Sequence, residues 1–315
     1  MDVTTLFDRT GNRRTAKVGI EQELLAATAT GHSVTVNRLR RVLTGPEYAP
    51  YLSFEPGGQV ELSLPAATSA ADAATRFHAA AGALRRDAAA ASIELLDDAV
   101  DHRPGVPRRL HSPRYDAMER HFDAIGPAGR VMMRRTASTQ VCLDWWPGDE
   151  GLEQYRVLQL AGPWIAAAYA RSTGPGSRLA TWLEVDPDRT AFDGRLLVGE
   201  PVEAYERFAR GAVQFAEPHL TTLFPPVRPR GTYLEVRYLD AQPLHRIERV
   251  LEVLATFAYD ADVRAQVLRT LEPRAHMLGD YWRAAAHGEL NPQTVRCFET
   301  ARSHASQARR ELVRT

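Results

Sequence analysis

The stretch Tyr51-Leu-Ser-Phe-Glu-Pro-Gly-Gly-Gln-Val-Glu-Leu-Ser63 constrains this chain most. It reads as two short strands joined at Pro56-Gly57-Gly58. Alternation sets Leu52, Phe54, Val60, Leu62 and Leu64 on one face, and Ser53, Glu55, Gln59, Glu61 and Ser63 on the other. The first face requires a core. The second gathers two carboxylates and an amide on a tight hairpin, a donor set suited to a hard cation.

The same alternation recurs along the chain. In residues 17–25, Val18, Ile20 and Leu24 oppose Glu21 and Glu23; in residues 232–239, Leu234, Val236 and Tyr238 oppose Glu235 and Arg237. The run 134–144 reads as another strand. Thr136, Ser138, Gln140 and Cys142 face one way, and Ala137, Thr139, Val141 and Leu143 the other. Glu21, Glu23, Glu55, Glu61 and Glu235 thus lie on polar strand faces. These are either solvated faces laced with salt bridges or the parts of one site. Like charges crowded on a sheet destabilise it unless something cancels them. Magnesium does so, since it takes oxygen ligands and neutralises phosphate as well. Arg134, Arg178 and Arg237 offer the positive partners a triphosphate needs. The set reads as a metal–nucleotide site without a phosphate loop, because Lys17 is the only lysine and no Gly-Lys-Ser/Thr occurs.

The remaining chain reads mostly as helix. Ser69 to Leu95 is Ala-rich, with Ser69 and Asp72 as a capping box and Phe77, Ala81 and Leu84 as its packing stripe. Further helices are expected around 36–43, from Ser112-Pro113, over 152–170 and 201–216, and almost throughout beyond Pro243, with breaks near Pro273 and Asn291-Pro292. The loop from Arg171 to Arg178 is rich in Gly and Pro, and 186–190 reads as a turn. No repeat or flexible linker interrupts the pattern. The expectation is one α+β domain over 1–315, helical from about 244, with strands forming the site and helices behind them.

Other functions find little support. A net charge of zero disfavours non-specific nucleic-acid binding. No apolar run reaches membrane-spanning length, and the first residues lack a signal-peptide pattern. Cys142 and Cys297 alone make no disulfide framework, so a cytoplasmic location is the default expectation. There is no Gly-x-Ser-x-Gly elbow, no His-Glu-x-x-His and no Gly-x-Gly-x-x-Gly loop. His111 and His121 lack metal-ligand spacing and are expected to be structural or superficial, and Cys142 has no placed histidine beside it.

The segments Val18-Gly-Ile-Glu-Gln-Glu-Leu24, Phe54-Glu-Pro-Gly-Gly-Gln-Val-Glu-Leu-Ser63, Thr136–Asp144, Gly176-Ser-Arg178, Trp182 with Asp186–Thr190, and Tyr233–Pro243 resemble the glutamate–cysteine ligase family. The likeness is to its plant-type and actinobacterial branch, which includes the ligase of ergothioneine biosynthesis. The resemblance implies a glutamine-synthetase-like fold, with a curved antiparallel sheet cupping ATP and magnesium. It implies Glu21, Glu23, Glu55, Glu61, Gln140 and Glu235 as the metal shell. Arg237, with Glu235, would act on the transferring phosphoryl group. Arg178 and the 174–176 loop would contact nucleotide or substrate, Ser138 would join that side, and Gln59 would touch substrate. The implied reaction is an amide ligation through an acyl phosphate, most simply of glutamate with cysteine. Amino acids as small-molecule substrates, and no nucleic acid or membrane, are then the expected partners. The chain is shorter than such relatives between Thr190 and Tyr233 and at its C-terminal end, regions that help build the acceptor side in the family. A different amine or acid, or a non-catalytic nucleotide-binding relative, therefore stays open.

Overall fold

The structure is a computed structural model and describes residues 3–103, 105–291 and 293–295. Among these, seven strands form one antiparallel sheet: β1 (Val18–Thr28), β2 (Leu52–Phe54), β3 (Val60–Ala67), β4 (Ile93–Leu96), β5 (Ser138–Asp144), β6 (Val227–Pro229) and β7 (Tyr233–Asp240). The order is β2-β3-β1-β5-β7-β6, and β4 pairs with the far end of β1. The sheet is open, with β2 and β6 at its edges. β1 is the longest strand, at 11 residues, and pairs with β3, β4 and β5.

One face of the sheet is apolar. Ile20, Leu24, Val60, Leu62, Val141, Leu143, Leu234 and Val236 are all buried there. The helices Ala70–Ala90, Gly148–Ala168 and Leu244–Tyr259 pack behind the strands. Each such side chain contributes about 1.5–3 kcal/mol relative to exposure. The polar groups on this face are paired: Thr139 Oγ1 donates to Gln22 Oε1 at 3.0 Å, and Gln22 Nε2 donates to the Gln242 carbonyl at 2.7 Å. The expected α+β arrangement, an antiparallel sheet backed by helices, is the one observed.

Several element bounds differ from the sequence reading. The Ala-rich helix is capped as expected, with Ser69 Oγ accepting from Asp72 N at 3.1 Å, but it stops at Ala90. Ser92 turns the chain at φ +56°, and β4 follows, with Ile93 and Leu95 buried and Glu94 exposed. The alternating run at 134–144 becomes strand only at Ser138; Arg134 and Arg135 close the helix Ala128–Arg135. The helix begun at Pro201 ends at Gly211, and Pro187–Thr190 is a single helical turn. The C-terminal helices are Leu244–Tyr259, Ala261–Leu271 and Leu278–His287. Pro292, Cys297 and the expected helix beyond Val295 lie outside the described residues. Among those described, no helix is long and apolar enough to cross a membrane.

Candidate active site

Strand register builds the site on the sheet's other face. Glu23 of β1 lies opposite Glu61 of β3, which lies opposite Ser53 of β2. One step along, Glu21 lies between Ser63 of β3 and Gln140 of β5. Across β7, Glu235 lies between Cys142 of β5 and Arg228 of β6. While β5 advances from Thr139 to Val141, β7 runs from Leu239 to Val236, one residue further. Such a bulge re-aims side chains. Here Arg237 reaches Gln140, Nη1 donating to Oε1 at 2.6 Å.

The hairpin turn places the fifth carboxylate. Gly58, at φ +89°, donates its N–H to the Glu55 carbonyl at 2.8 Å. Gly57 lies against the Arg134 backbone so closely that a Cβ would stand 2.2 Å from the Arg134 carbonyl oxygen. Gln59 locks this contact: its Oε1 accepts from Gly57 N at 3.0 Å, and its Nε2 donates to the Thr136 carbonyl at 2.8 Å.

These residues surround a cavity of about 290 Å³. The strands supply Glu21, Glu23, Glu61, Gln140, Glu235, Arg237 and, from β6, Arg228; Glu55 comes from the hairpin turn and Arg230 from the residue just after β6. Tyr115, Met118, Met132, Met133, Trp182 and Phe224 line it as well.

The charges divide into two ends. At one end, Glu23, Glu55 and Glu61 each bring an oxygen within 4.8 Å of the others. Among the described residues, neither these three nor Glu21 forms an ion pair. Ser138 N donates to Glu23 at 2.7 Å, and Ser53 Oγ donates to Glu61 at 2.5 Å. Burial, with Glu23 and Glu61 close by, pushes the Glu55 carboxyl up to about 8. Burial and Glu61 push Glu23 up to about 7. Burial, Glu61 and Glu235 push Glu21 up to about 7. At the other end, Glu235 is 3% exposed and saturated by arginine. Arg228 Nη2 reaches its two oxygens at 2.7 and 2.8 Å, Arg237 bonds it closely, and Arg230 stands 3.9 Å away. Burial acts to raise its pKa, but Arg237 and Arg228 outweigh that and hold it at about 2.

The acidic end fits a divalent ion. Its donors are hard carboxylate oxygens, they are crowded, and among the described residues no arginine or lysine forms an ion pair with them. Glu23, Glu55 and Glu61 are the residues that would hold it, with Glu21 beside them.

Eight of the expected site residues line this cavity: Glu21, Glu23, Glu55, Gln59, Glu61, Gln140, Glu235 and Arg237. Arg134, Ser138 and Arg178 do not. Arg134 is helical rather than on a strand, and its guanidinium is taken by Glu119. Ser138 is buried and presents its backbone N–H to Glu23. Arg178 is buried behind the wall, where Nη2 donates to the Arg237 carbonyl at 2.9 Å and the guanidinium covers Trp182 at 5.3 Å. Gln59 lines the cavity, yet both ends of its amide hold the hairpin turn. Cys142 lies outside the lining; burial, then Glu21 and Glu235, push its thiol well up, so it stays protonated. His121 pairs with Asp186 at 2.8 Å, and His111 is exposed beside Arg108.

Arg228, Arg230 and the Met/aromatic residues were not singled out from the sequence. The alternation in Val227-Arg-Pro-Arg was the available signal for the two arginines. Asp186–Thr190, expected as a turn and as one of the family-like segments, also supports the site. Arg189 is fully buried and donates to Thr222 Oγ1 at 2.8 Å, and its carbonyl accepts from Phe224 N at 2.8 Å. It thereby fixes the segment bearing Thr221 and Phe224, both in the cavity lining.

The fold is that of two solved ligases. A glutamate–cysteine ligase from Francisella tularensis, crystallised with AMP, aligns with TM-score 0.57 and 14% identity over 90% of this chain and 73% of that one. A bifunctional glutathione synthetase from Pasteurella multocida aligns with TM-score 0.53 and 14% identity over 96% of this chain and 48% of that one. At such identity these likenesses speak for the fold alone. Residues 17–312 match glutamate–cysteine ligase family 2, and the chain belongs to that family. It is 34% identical over 239 residues to glutamate–cysteine ligase EgtA of Mycolicibacterium smegmatis, covering 61% of this chain and 56% of that protein. It is 31% identical over 275 residues to glutamate–cysteine ligase EgtA of Mycobacterium tuberculosis, covering 71% and 63%. The matched part therefore spans 56% and 63% of the length of these curated relatives.

Proposed function

We propose that this chain is an ATP-dependent carboxylate–amine ligase, which joins glutamate to cysteine through an acyl phosphate to form γ-glutamylcysteine. The observation that carries the reading is the division of one cavity into an end of clustered carboxylates without ion pairs and an arginine-rich end. A magnesium nucleotide presents the matching charges: a divalent cation and a polyanion.

A carboxylate does not yield to an amine while its leaving group is oxide. In this reading a substrate carboxylate oxygen attacks the γ-phosphorus of ATP, and ADP departs. The amine then attacks the acyl carbon, the C–O bond to phosphate breaks, and the amide forms with release of phosphate and a proton. A divalent ion bound by the carboxylates would neutralise charge on the phosphate oxygens. Arg237, held by Gln140 and Glu235, would meet the transferring phosphoryl group in this reading. The step requires no protein nucleophile, in keeping with a Cys142 thiol held protonated outside the cavity lining.

A second reading keeps this chemistry with another amine or acid. It is kept because the match covers 56% and 63% of the two EgtA relatives, which leaves part of their length without a counterpart in the alignment. Incubation with ATP, magnesium and glutamate, with and without cysteine, separates the two. Cysteine-dependent ADP release with the mass of γ-glutamylcysteine supports the first reading. ADP release only with another amine or acid moves the assignment to the second. Nucleotide binding without turnover on any pair would leave a non-catalytic relative.

A further inference from the structure

We propose a second small-molecule site, outside the sheet cavity, that takes an α-amino acid with an apolar side chain and acts as an effector site for the active cavity. It lies in the cleft between the helices Arg178–Val185 and Leu278–His287. The Gly/Pro-rich loop before Arg178, which the family resemblance set beside nucleotide or substrate, borders this cleft instead. Pro175 lines the cleft, and none of residues 174–176 lines the sheet cavity.

Helical spacing builds the cleft. Ala180, Leu183 and Glu184 recur at i, i+3 and i+4 on the first helix, and Gly279, Arg283, Ala286 and His287 at i, i+4, i+7 and i+8 on the second. Both faces line one cavity of about 440 Å³, a volume that suits a small molecule. Its walls are fixed from behind. Phe192 packs edge-on against the buried Trp282, with centroids 4.8 Å apart. Gly174 N donates to the Ala286 carbonyl at 2.7 Å, which ties the loop to the end of the second helix.

Charge gives the ligand class. Among the described residues, the side chain of Glu184 on the first helix has no partner, and neither has that of His287 on the second. Arg283 donates through Nη2 to Asp280 at 2.5 Å, which leaves Nε and Nη1 for a ligand. Asp193, the other acid in the lining, is taken by Arg195 at 2.8 Å. Glu184, Arg283 and His287 are exposed, whereas Ala180, Phe192 and Ala286 are buried, so charges rim the mouth and apolar groups line the depth. One wall thus offers a free carboxylate and the facing wall a free guanidinium edge. An α-amino acid presents the matching ammonium and carboxylate at one end and a side chain at the other.

Occupancy reaches the active cavity through the helix Arg178–Val185. Trp182, next to Leu183, lines the sheet cavity. Arg178 holds the Arg237 carbonyl at 2.9 Å, and its charge acts on Glu23. A ligand wedged against Leu183 therefore bears on the helix behind both ends of the active cavity. The effector role rests on the magnesium site of the ligase reading; the second site itself does not.

The test is calorimetric titration of the full chain with L-leucine, L-methionine and L-phenylalanine, for wild type, Leu183→Trp and Glu184→Gln. Both positions lie outside the lining of the active cavity. The expected result is that at least one of the three amino acids binds wild type. Leu183→Trp, which fills the cleft, should weaken that binding roughly tenfold or more as the apolar space is lost. Glu184→Gln should weaken it roughly threefold, the scale of an exposed ion pair. The bound amino acid should also shift magnesium affinity about fivefold in wild type and not in Leu183→Trp. Binding of none of the three overturns the site. So does binding that survives Leu183→Trp unchanged, which would put the amino acid elsewhere. Binding that leaves magnesium affinity unaltered overturns the effector role. If Leu183→Trp does not fold, Glu184→Gln decides, since its exposed side chain has no partner to lose. A wild type that binds the amino acid but no magnesium overturns the metal reading and the effector role with it, and leaves the second site standing.

Discussion

Glu23 of β1 stands directly opposite Glu61 of β3 in the antiparallel register, two carboxylates without an ion pair among the described residues. Like charges so placed destabilise a sheet by about 0.2–1 kcal/mol. Glu61→Gln is therefore expected to raise the melting temperature of metal-free protein at pH 8 by about 1–2 °C, the shift such an energy gives in a chain of this size. The same variant should lose the stabilisation that magnesium confers on wild type, which reaches about 2.7 kcal/mol at a hundred times Kd. Differential scanning calorimetry in EDTA and in magnesium checks both halves.

The carboxyls of Glu21 and Glu23 rise to about 7 and that of Glu55 to about 8. A carboxyl with a raised folded pKa binds more protons in the folded than in the unfolded chain. Its contribution to stability is complete below the unfolded value and is lost as pH climbs through 7 to 8. Metal-free protein is thus expected to lose stability from about pH 5 to pH 8, and magnesium to flatten that slope by replacing the protons. Melting temperature against pH, with and without magnesium, tests this. A metal-free curve that rises over the same window contradicts the assigned carboxylates.

Glu235 has the opposite character. Held at about 2 by Arg237 and Arg228, it contributes stability above its unfolded pKa that is lost as pH falls toward 2. Glu235→Gln removes the partner of buried arginines and is expected to cost about 3–5 kcal/mol. Urea unfolding at pH 7 measures it, and turnover should vanish in the same variant. An active Glu235→Gln enzyme would remove Glu235 from the machinery.

Much of this site was legible in strand alternation. Glu21, Glu23, Glu55, Glu61, Gln140, Glu235 and Arg237 share a face because each strand sends alternate residues the same way. Register could not be read, since it depends on which strands pair. The Glu23–Glu61 opposition and the bulge that brings Arg237 to Gln140 were therefore invisible. β6 is three residues long and contains Pro229, so the alternation in Val227-Arg-Pro-Arg is too brief a signal to single out Arg228 and Arg230. Arg134 was read as strand because the alternation from Thr136 continues backward through it, whereas helix packing places it against Glu119. β4 was hidden by the Ala-rich helix before it, whose composition masks the switch in period after Ser92.

Gly57 makes a backbone prediction. A Cβ there meets the Arg134 carbonyl, carbon and Cα, none of which yields as a flexible side chain would. Gly57→Ala is expected to cost about 1–3 kcal/mol through overpacking. It should also weaken magnesium binding, because the turn that positions Glu55 must shift. Chemical unfolding and metal titration follow the two effects separately.

The most direct test of the ligase account follows an oxygen atom. Glutamate labelled with ¹⁸O in its γ-carboxylate is supplied with ATP, magnesium and the acceptor amine, and the released phosphate is weighed by mass spectrometry. Activation through an acyl phosphate at that carboxylate predicts one labelled oxygen in each phosphate formed with amide. Unlabelled phosphate accompanying amide formation would contradict it.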